Sequence, residues 1–333
     1  MKRHIPVITL GVVLLVGLFA PLVSGAASPG FWTEVLLGGL MAGVLYSLVA
    51  LGFVLIYKAS GVFNFAQGAM VLFAALSVAR LAEKMPLWAA VIIAAAIMIV
   101  LAILVERLVL RPLVNQEAIA LLMATLGVSY FLDGFGQTLW GSDIYKIELG
   151  IAKEPVMILP NIFQGGILIN RDDVLAAVVA VLLVGALALF FQKTATGRAL
   201  RAVADDHQAA QSIGIPLNRI WVIVWSVAGI VALVAGIIWG GKLGVQFSIT
   251  QVALKALPVV ILGGFTSVPG AIVGGLVVGV GEKMAELFLG PILVKAFDLA
   301  GGGIENWFAY MLALAFLLVR PEGLFGEKHI DRV

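Results

Sequence analysis

The run VLAAVVAVLLVGALALFF at residues 174–191, followed by QKTATGRALRAVADDHQAAQSIGIPLNR at residues 192–219, decides the fold. The first run carries no charged residue. At about 1.5 Å of rise per residue, it crosses most of a hydrocarbon layer about 30 Å thick. A barrel strand would instead alternate polar and apolar side chains over about 10 residues. A helix satisfies every backbone group within itself, which lipid requires. The second run is polar, opens with Lys193, Arg198 and Arg201, and contains Ala-rich stretches that favour helix. Gly214 and then Pro216 end that helical register. A short polar helix held between two spans is a lever for a partner protein; the bland alternative is a solvated connector.

The rest of the chain repeats the first kind of run. Of its 333 residues, 62% are apolar and 12% are charged. Soluble domains average about 45–50% and about 25%, so this composition belongs in a bilayer. Apolar runs at Ile5–Val23, Val35–Tyr57, Asn64–Leu81, Leu87–Val105, Ile119–Trp140, Val174–Phe191, Ile220–Gly240, Val252–Gly264, Ala271–Leu289 and Trp307–Val319 predict an all-α polytopic membrane bundle. It has about ten spans, some of them short or broken. The eighth run is short enough for a half-helix or a re-entrant segment. Met1–Pro29 reads in two ways: as a first span with its N-terminus in the cytoplasm, or as a cleavable signal-like segment over residues 1–27. No segment outside the apolar runs is long enough for an independent soluble core, so residues 1–333 read as one transmembrane domain.

Basic residues set the orientation. Threading the runs puts Lys2 and Arg3, Arg107–Arg111, the 192–219 loop and the tail with Arg320, Lys328 and Arg332 on one side, the cytoplasmic one. The largest loop on the opposite side is Gly141–Asp173. The net charge of +2 is scattered along loops and gives no nucleic-acid footprint. With no cysteine, disulfides, thiol catalysis and cysteine metal sites are excluded.

Catalytic signals fail. Gly236–Leu243 imitates a phosphate loop, but it lacks the Ser/Thr that holds Mg²⁺ and does not follow a strand. His4, His207 and His329 all fall outside the runs, and no metal or cofactor motif is present. Two interrupted regions, Lys58–Gly68 and Gly263–Gly270, are more informative, because they place glycine and small polar groups between apolar runs. Unwound backbone at membrane depth is tolerated where it lines a wet cavity, and a helix N-terminus there faces an anion such as a carboxylate. The competing reading is an ordinary turn at the membrane surface. Ionisable residues within spans are costly, about 2.5–3.5 kcal/mol at a helix centre. Here they are Asp133, Lys255, Glu282, Lys283 and Glu286, with Lys255 in the short eighth run. The spacings Gly39/Gly43, Gly236/Gly240, Gly270/Gly274 and Gly275/Gly279 suit close helix packing.

Four stretches taken together resemble the permeases of the high-affinity branched-chain amino acid ABC importers, a group that includes urea and amide permeases. They are Gly43–Gly52 running on to Asn64–Gly68; Gly197–Ile215; Lys255-Ala256 through Leu262-Gly263-Gly264, Ser267, Gly270-Ala271 and Gly274-Gly275 to Glu282; and Arg320–Gly326. The sequence departs from the family pattern at Gln67, often His, at Ala69, often acidic, and at Ala253, often Gly. The resemblance implies a chain that hydrolyses no ATP and works beside a second related permease, two ATP-binding subunits and a periplasmic substrate-binding protein in the bacterial inner membrane. It implies a translocation path near Asn64, Gln67, Gly68, Lys255, Gly263, Gly264 and Ser267. It also implies that Arg198, Asp206, Ala209, Ala210 and Gly214 lie in the loop that docks on the ATPase. Leucine, isoleucine and valine are the expected solutes. The alternatives are urea or short amides, an ion-coupled secondary transporter or channel, and an intramembrane enzyme, which the motif count argues against.

Overall fold

The computed structural model describes residues 16–23, 25, 27–113, 116–150, 154–163, 165–205, 207–298 and 303–326. The beginning of the first expected span lies outside the described residues, while 16–23 are helical. Every other expected run finds a helix. Helices α1 (Pro29–Ser60), α2 (Gln67–Ala82), α3 (Leu87–Leu104) and α4 (Ala118–Trp140) come first. Then follow α5 (Arg171–Lys193), α6 (Ala195–Asp205), α7 (His207–Ser212) and α8 (Leu217–Leu243). The chain continues through α9 (Ser248–Leu254), α10 (Ala256–Gly263), α11 (Val268–Met284), α12 (Gly290–Phe297) and α13 (Ile304–Val319). The protein is an all-α membrane bundle. One small exception is an antiparallel hairpin, β1 (Pro155–Ile158) with β2 (Ile167–Asn170), in the loop before α5.

The number of full-length crossings is smaller than the number of apolar runs. Among the described residues, five helices are long and apolar enough to cross a membrane, or six if one bent pair counts as a span. Helices α2 and α13 are shorter. The bent pair joins Ser248–Gly263 to Val268–Phe297 at 116°. Within it, the eighth run is itself broken at Lys255, between α9 and α10. Pro258 supplies the physical reason: it has no N–H to offer the carbonyl four residues back, that of Leu254. The freed Leu254 carbonyl accepts instead from the Tyr310 hydroxyl at 2.8 Å. A neighbouring helix thus satisfies a backbone group that lipid would leave bare.

Helices α1 and α8 form the core. Their apolar windows are 78% and 61% buried, against 22–28% for the crossings Leu87–Leu113, Ile119–Trp140 and Arg171–Lys193, which therefore take the periphery. Glycines let the core helices touch along their backbones. A Cβ on Gly43 would stand 2.6 Å from the Gly275 carbonyl oxygen, and one on Gly279 would stand 2.4 Å from the Gly43 nitrogen. The α1–α11 seam therefore tolerates only glycine at these points. Gly236 approaches the Val71 carbonyl in the same way, at 2.6 Å. The phosphate-loop look-alike is thus the packed end of α8 against α2.

Candidate functional site

The two interrupted regions take different forms. After Ser60 the chain turns back into the bundle. Gln67, at the start of α2, is so close to Gly52 that a Cβ there would meet the Gln67 amide nitrogen at 2.4 Å. Gly52 lies about 12 Å along the helix from Ser60, so the turn reaches well below the end of α1. Asn64 and Gln67 are fully buried. Asn64 Oδ1 accepts from the Ala66 N–H at 3.1 Å, and Asn64 Nδ2 donates to Gln67 Oε1 at 3.2 Å. Thr125 Oγ1, from α4, donates to the Phe63 carbonyl at 3.2 Å. Gln67 Nε2 is buried without a hydrogen-bond partner among the described residues. Gly68 packs on α9: a Cβ there would stand 2.9 Å from the Thr250 carbonyl and 3.3 Å from the Ala253 methyl. Two positions singled out in the sequence, Gly68 and Ala253, are therefore neighbours, immediately ahead of Lys255.

Gly263, Gly264 and Ser267 lie elsewhere. Gly263 meets Gly270 backbone to backbone, with a built Cβ only 2.2 Å from the Gly270 carbonyl oxygen. The C-terminal stretch Arg320–Gly326 closes over this turn. Leu324 N–H donates to the Leu262 carbonyl at 2.8 Å and Phe325 N–H to the Gly263 carbonyl at 3.1 Å. Two stretches far apart in sequence are thus one structural unit. Ser267 caps α11, its hydroxyl accepting from the Gly270 N–H at 3.0 Å. Thr266, Ser267 and Phe325 share a cavity of ≈ 200 Å³ with Lys58, Gly197 and Arg201. The Gly263–Ser267 turn therefore belongs with the start of the 192–219 segment.

That segment forms the two short helices α6 and α7. A sharp corner joins α5 to α6, where a Cβ on Gly197 would stand 1.9 Å from the Phe191 carbonyl oxygen. Arg201 ties the corner by donating to that carbonyl at 2.6 Å. Leu200, Val203 and Ala210 are buried while Arg198 and Ala209 face outward, so the segment is amphipathic. Beyond α7, Ile213 is 74% exposed and Gly214 has φ +85°, a left-handed turn that favours glycine. Asp206 lies outside the described residues.

Lys255 has partners that sequence spacing did not reveal. Its Nζ lies 3.0 Å from Glu282 Oε1, across the bend between α9–α10 and α11. Tyr46 of α1 donates to the same oxygen at 3.1 Å. The Tyr46 ring stacks on Trp239 at 6.1 Å, and Lys242 lies over the Trp239 ring at 5.8 Å and pairs with Asp173. Glu282 and Glu286 are four residues apart. The structure divides them, and Glu286 pairs with Lys283 at 2.7 Å. Asp133 does not join either cluster; its Oδ1 is buried without a hydrogen-bond partner among the described residues. A further buried acid, Glu106, pairs with Arg111 at 2.7 Å within a π-helical segment, Val105–Leu110, and its immediate neighbour. No group of acidic or histidine side chains suits a metal ion among the described residues.

Comparison with known proteins agrees with this membrane architecture. Residues 35–320 match the family described as branched-chain amino acid transport system / permease component. The high-affinity branched-chain amino acid transport system permease protein BraD of Pseudomonas aeruginosa is 27% identical over 318 residues, covering 91% of this chain and 98% of that protein. The corresponding LivH protein of Escherichia coli is 26% identical over 329 residues, with the same coverages of 91% and 98%. A probable branched-chain amino acid transport permease protein of Methanocaldococcus jannaschii is 28% identical over 310 residues, covering 88% and 92%. Among solved structures, PsaBC from Streptococcus pneumoniae in complex with Fab aligns with a TM-score of 0.41 at 15% identity, over 87% of this chain and 94% of that one. The matched residues run from α1 to the end of α13 and take in both interrupted regions, the α6–α7 segment and the Lys255–Glu282 pair, so this chain belongs to the family of branched-chain amino acid transport system permease components.

Proposed function

We propose that this permease is the membrane-spanning subunit of an ATP-binding cassette importer for leucine, isoleucine and valine in a bacterial inner membrane. It works with a second related permease, two ATP-binding subunits and a periplasmic substrate-binding protein. The chain acts as one transmembrane domain, with the 192–219 segment and both termini in the cytoplasm. ATP is hydrolysed on the partner subunits.

The observation that carries this reading is the α6–α7 segment. It is a pair of short helices braced against the spans by Leu200, Val203 and Arg201, and it ends in an exposed apolar side chain, Ile213. A partner that pulls on such a segment moves the ends of α5 and α8 with it. Nucleotide state then shifts the bundle between conformations by binding one of them better. The family match adds the solute class, through relatives named as branched-chain amino acid permeases. In this reading the loop that carries Arg198, Asp206, Ala209, Ala210 and Gly214 docks on the ATPase, with Arg198 and Ala209 on its outward face and Ala210 packed against the bundle. Asn64, Gln67, Gly68 and Lys255 border the path, and Gly263, Gly264 and Ser267 form its cytoplasmic rim.

The test is reconstitution of the chain with its neighbouring subunits in proteoliposomes, followed by ATP-dependent leucine uptake. Uptake that needs ATP and the binding protein is the expected result. Uphill transport by the purified chain alone would overturn it. Gly214→Val strains the left-handed turn while its Cβ has no neighbour within 4 Å, so it is expected to keep the complex together while ATP hydrolysis continues and uptake falls. Normal uptake in that variant would remove the turn from the coupling segment.

A further inference from the structure

We propose that Lys255 and Glu282 form a clamp for a zwitterion, binding the carboxylate and the ammonium of one α-amino acid as it crosses the bundle. The inference rests on the importer reading above and assigns the site where the solute's charges are held.

Three observations point to it. First, an ion pair joins two helices of the bundle with little exposure, 20% for the lysine side chain and 3% for the glutamate, where charge is costly and where ionisable residues mark substrate pathways. Second, the pair is incompletely satisfied. Glu282 is 2% exposed, and its Oε1 takes both Lys255 and Tyr46, yet Oε2 is buried with no hydrogen-bond partner among the described residues. A pair serving only to hold helices together would be expected to satisfy that second acceptor, because an unmade bond in a dry interior is expensive. Third, the lysine side chain is 20% exposed against 3% for the glutamate, so Lys255 is the more open member of the pair.

The chemistry of the solute fits these vacancies. A lysine ammonium has three donors, and Glu282 occupies one of them here. A solute carboxylate can take another. The solute ammonium, itself a triple donor, matches the unpartnered Oε2 once the Lys255–Glu282 contact opens. A zwitterion entering between the two side chains leaves every buried charge paired. A solute with a single charge would leave one of them alone, at a cost of several kcal/mol. Urea or a short amide brings no charges to either end and gains little from the separation. Lys255 also sits at the break that Pro258 creates between α9 and α10.

Radiolabelled leucine uptake by the complete reconstituted transporter tests the clamp, with co-purification of all subunits as the control for assembly. Glu282→Gln keeps the size of the side chain and an acceptor for Tyr46, and the exchanged pair K255E/E282K keeps an ion pair but reverses it. Both are expected to assemble and to lose about tenfold or more of uptake, equivalent to 1.4 kcal/mol. In the exchanged pair a zwitterion can bind only turned around, which points its side chain at the wrong wall. Uptake within about twofold of wild type in either assembled variant would overturn the clamp. Loss of assembly in both would make the pair a structural lock and overturn it equally. Wild-type uptake is read alongside: if it carries urea or amides and no leucine, the importer reading has failed for its solute. Normal wild-type leucine uptake puts the clamp alone on trial.

Discussion

The turn at residues 61–66 and the turn at residues 264–267 carry the same kind of sequence, small and polar between apolar runs, yet they are built by opposite means. The first lies below the end of α1 and uses side chains. Asn64 Oδ1 accepts from the buried Ala66 N–H, Thr125 donates to the Phe63 carbonyl, and the Phe63 ring stacks on Phe53 at 5.1 Å. The second lies beside Lys58 and Arg201 and uses the lack of side chains. Gly263 and Gly270 touch through their backbones, Gly323 presses on Gly264, and the carbonyls of Leu262 and Gly263 are taken by the tail. Where polar groups are buried, side chains supply the hydrogen bonds the backbone lacks. Where two backbones must cross, volume is the constraint and hydrogen bonding follows from contact. The two turns meet at one seam, where Phe265 packs on Tyr57 at 5.4 Å and on Phe63 at 6.1 Å.

Five tests would break or sharpen this contrast. The largest effect is expected at Gly263→Val. Its Cβ would overlap the Gly270 carbonyl, and that contact is backbone on both sides, so neither can yield. We expect no recoverable monodisperse protein in detergent, and a normal yield would mean that the turn is looser than its geometry. Next comes Asn64→Leu, which preserves bulk but strands the Ala66 N–H and Gln67 Oε1. At about 1–3 kcal/mol for each unpaired buried group, the unfolding midpoint should drop by several degrees. An unchanged midpoint would show that water reaches this turn. Gly323→Ala should cost more than the about 1–2 kcal/mol of its φ of +81° alone, because its Cβ would also stand 2.7 Å from the Gly264 nitrogen, backbone that cannot turn aside. The same substitution at Gly61, with φ +67° and open space around it, isolates the backbone contribution and should cost no more than that. The smallest effect is the coupling between the turns. A double-mutant cycle of Phe63→Leu and Phe265→Leu, read by thermal unfolding, should give about 0.5–1.5 kcal/mol. A coupling of zero would make the two turns independent.

Much of this was legible in the chain itself. The apolar runs announced the helices, because length and composition decide whether a segment can sit in lipid. The break at Gly263–Gly270 and the corner before Arg198 carried their own glycine signals. Glu282 was legible as an ionisable residue within a span; its partners, Tyr46 and Lys255, come from other helices, and no spacing along one helix could reveal them. The break at Lys255 had a signal in Pro258, seen four residues after the carbonyl it abandons. The hydroxyl that rescues that carbonyl, Tyr310, is on α13 and had none.

Composition and periodicity alone determined that this protein lives in a bilayer, is helical and carries a polar segment between two spans, because the transfer of apolar helices out of water is a sum over local residues. Only the tertiary structure decided which interrupted region turns inward, which one the C-terminal tail covers, and that Lys255 faces Glu282. Those outcomes depend on how closely backbones approach across helices, a property set jointly by glycines on both partners and therefore invisible in either run by itself.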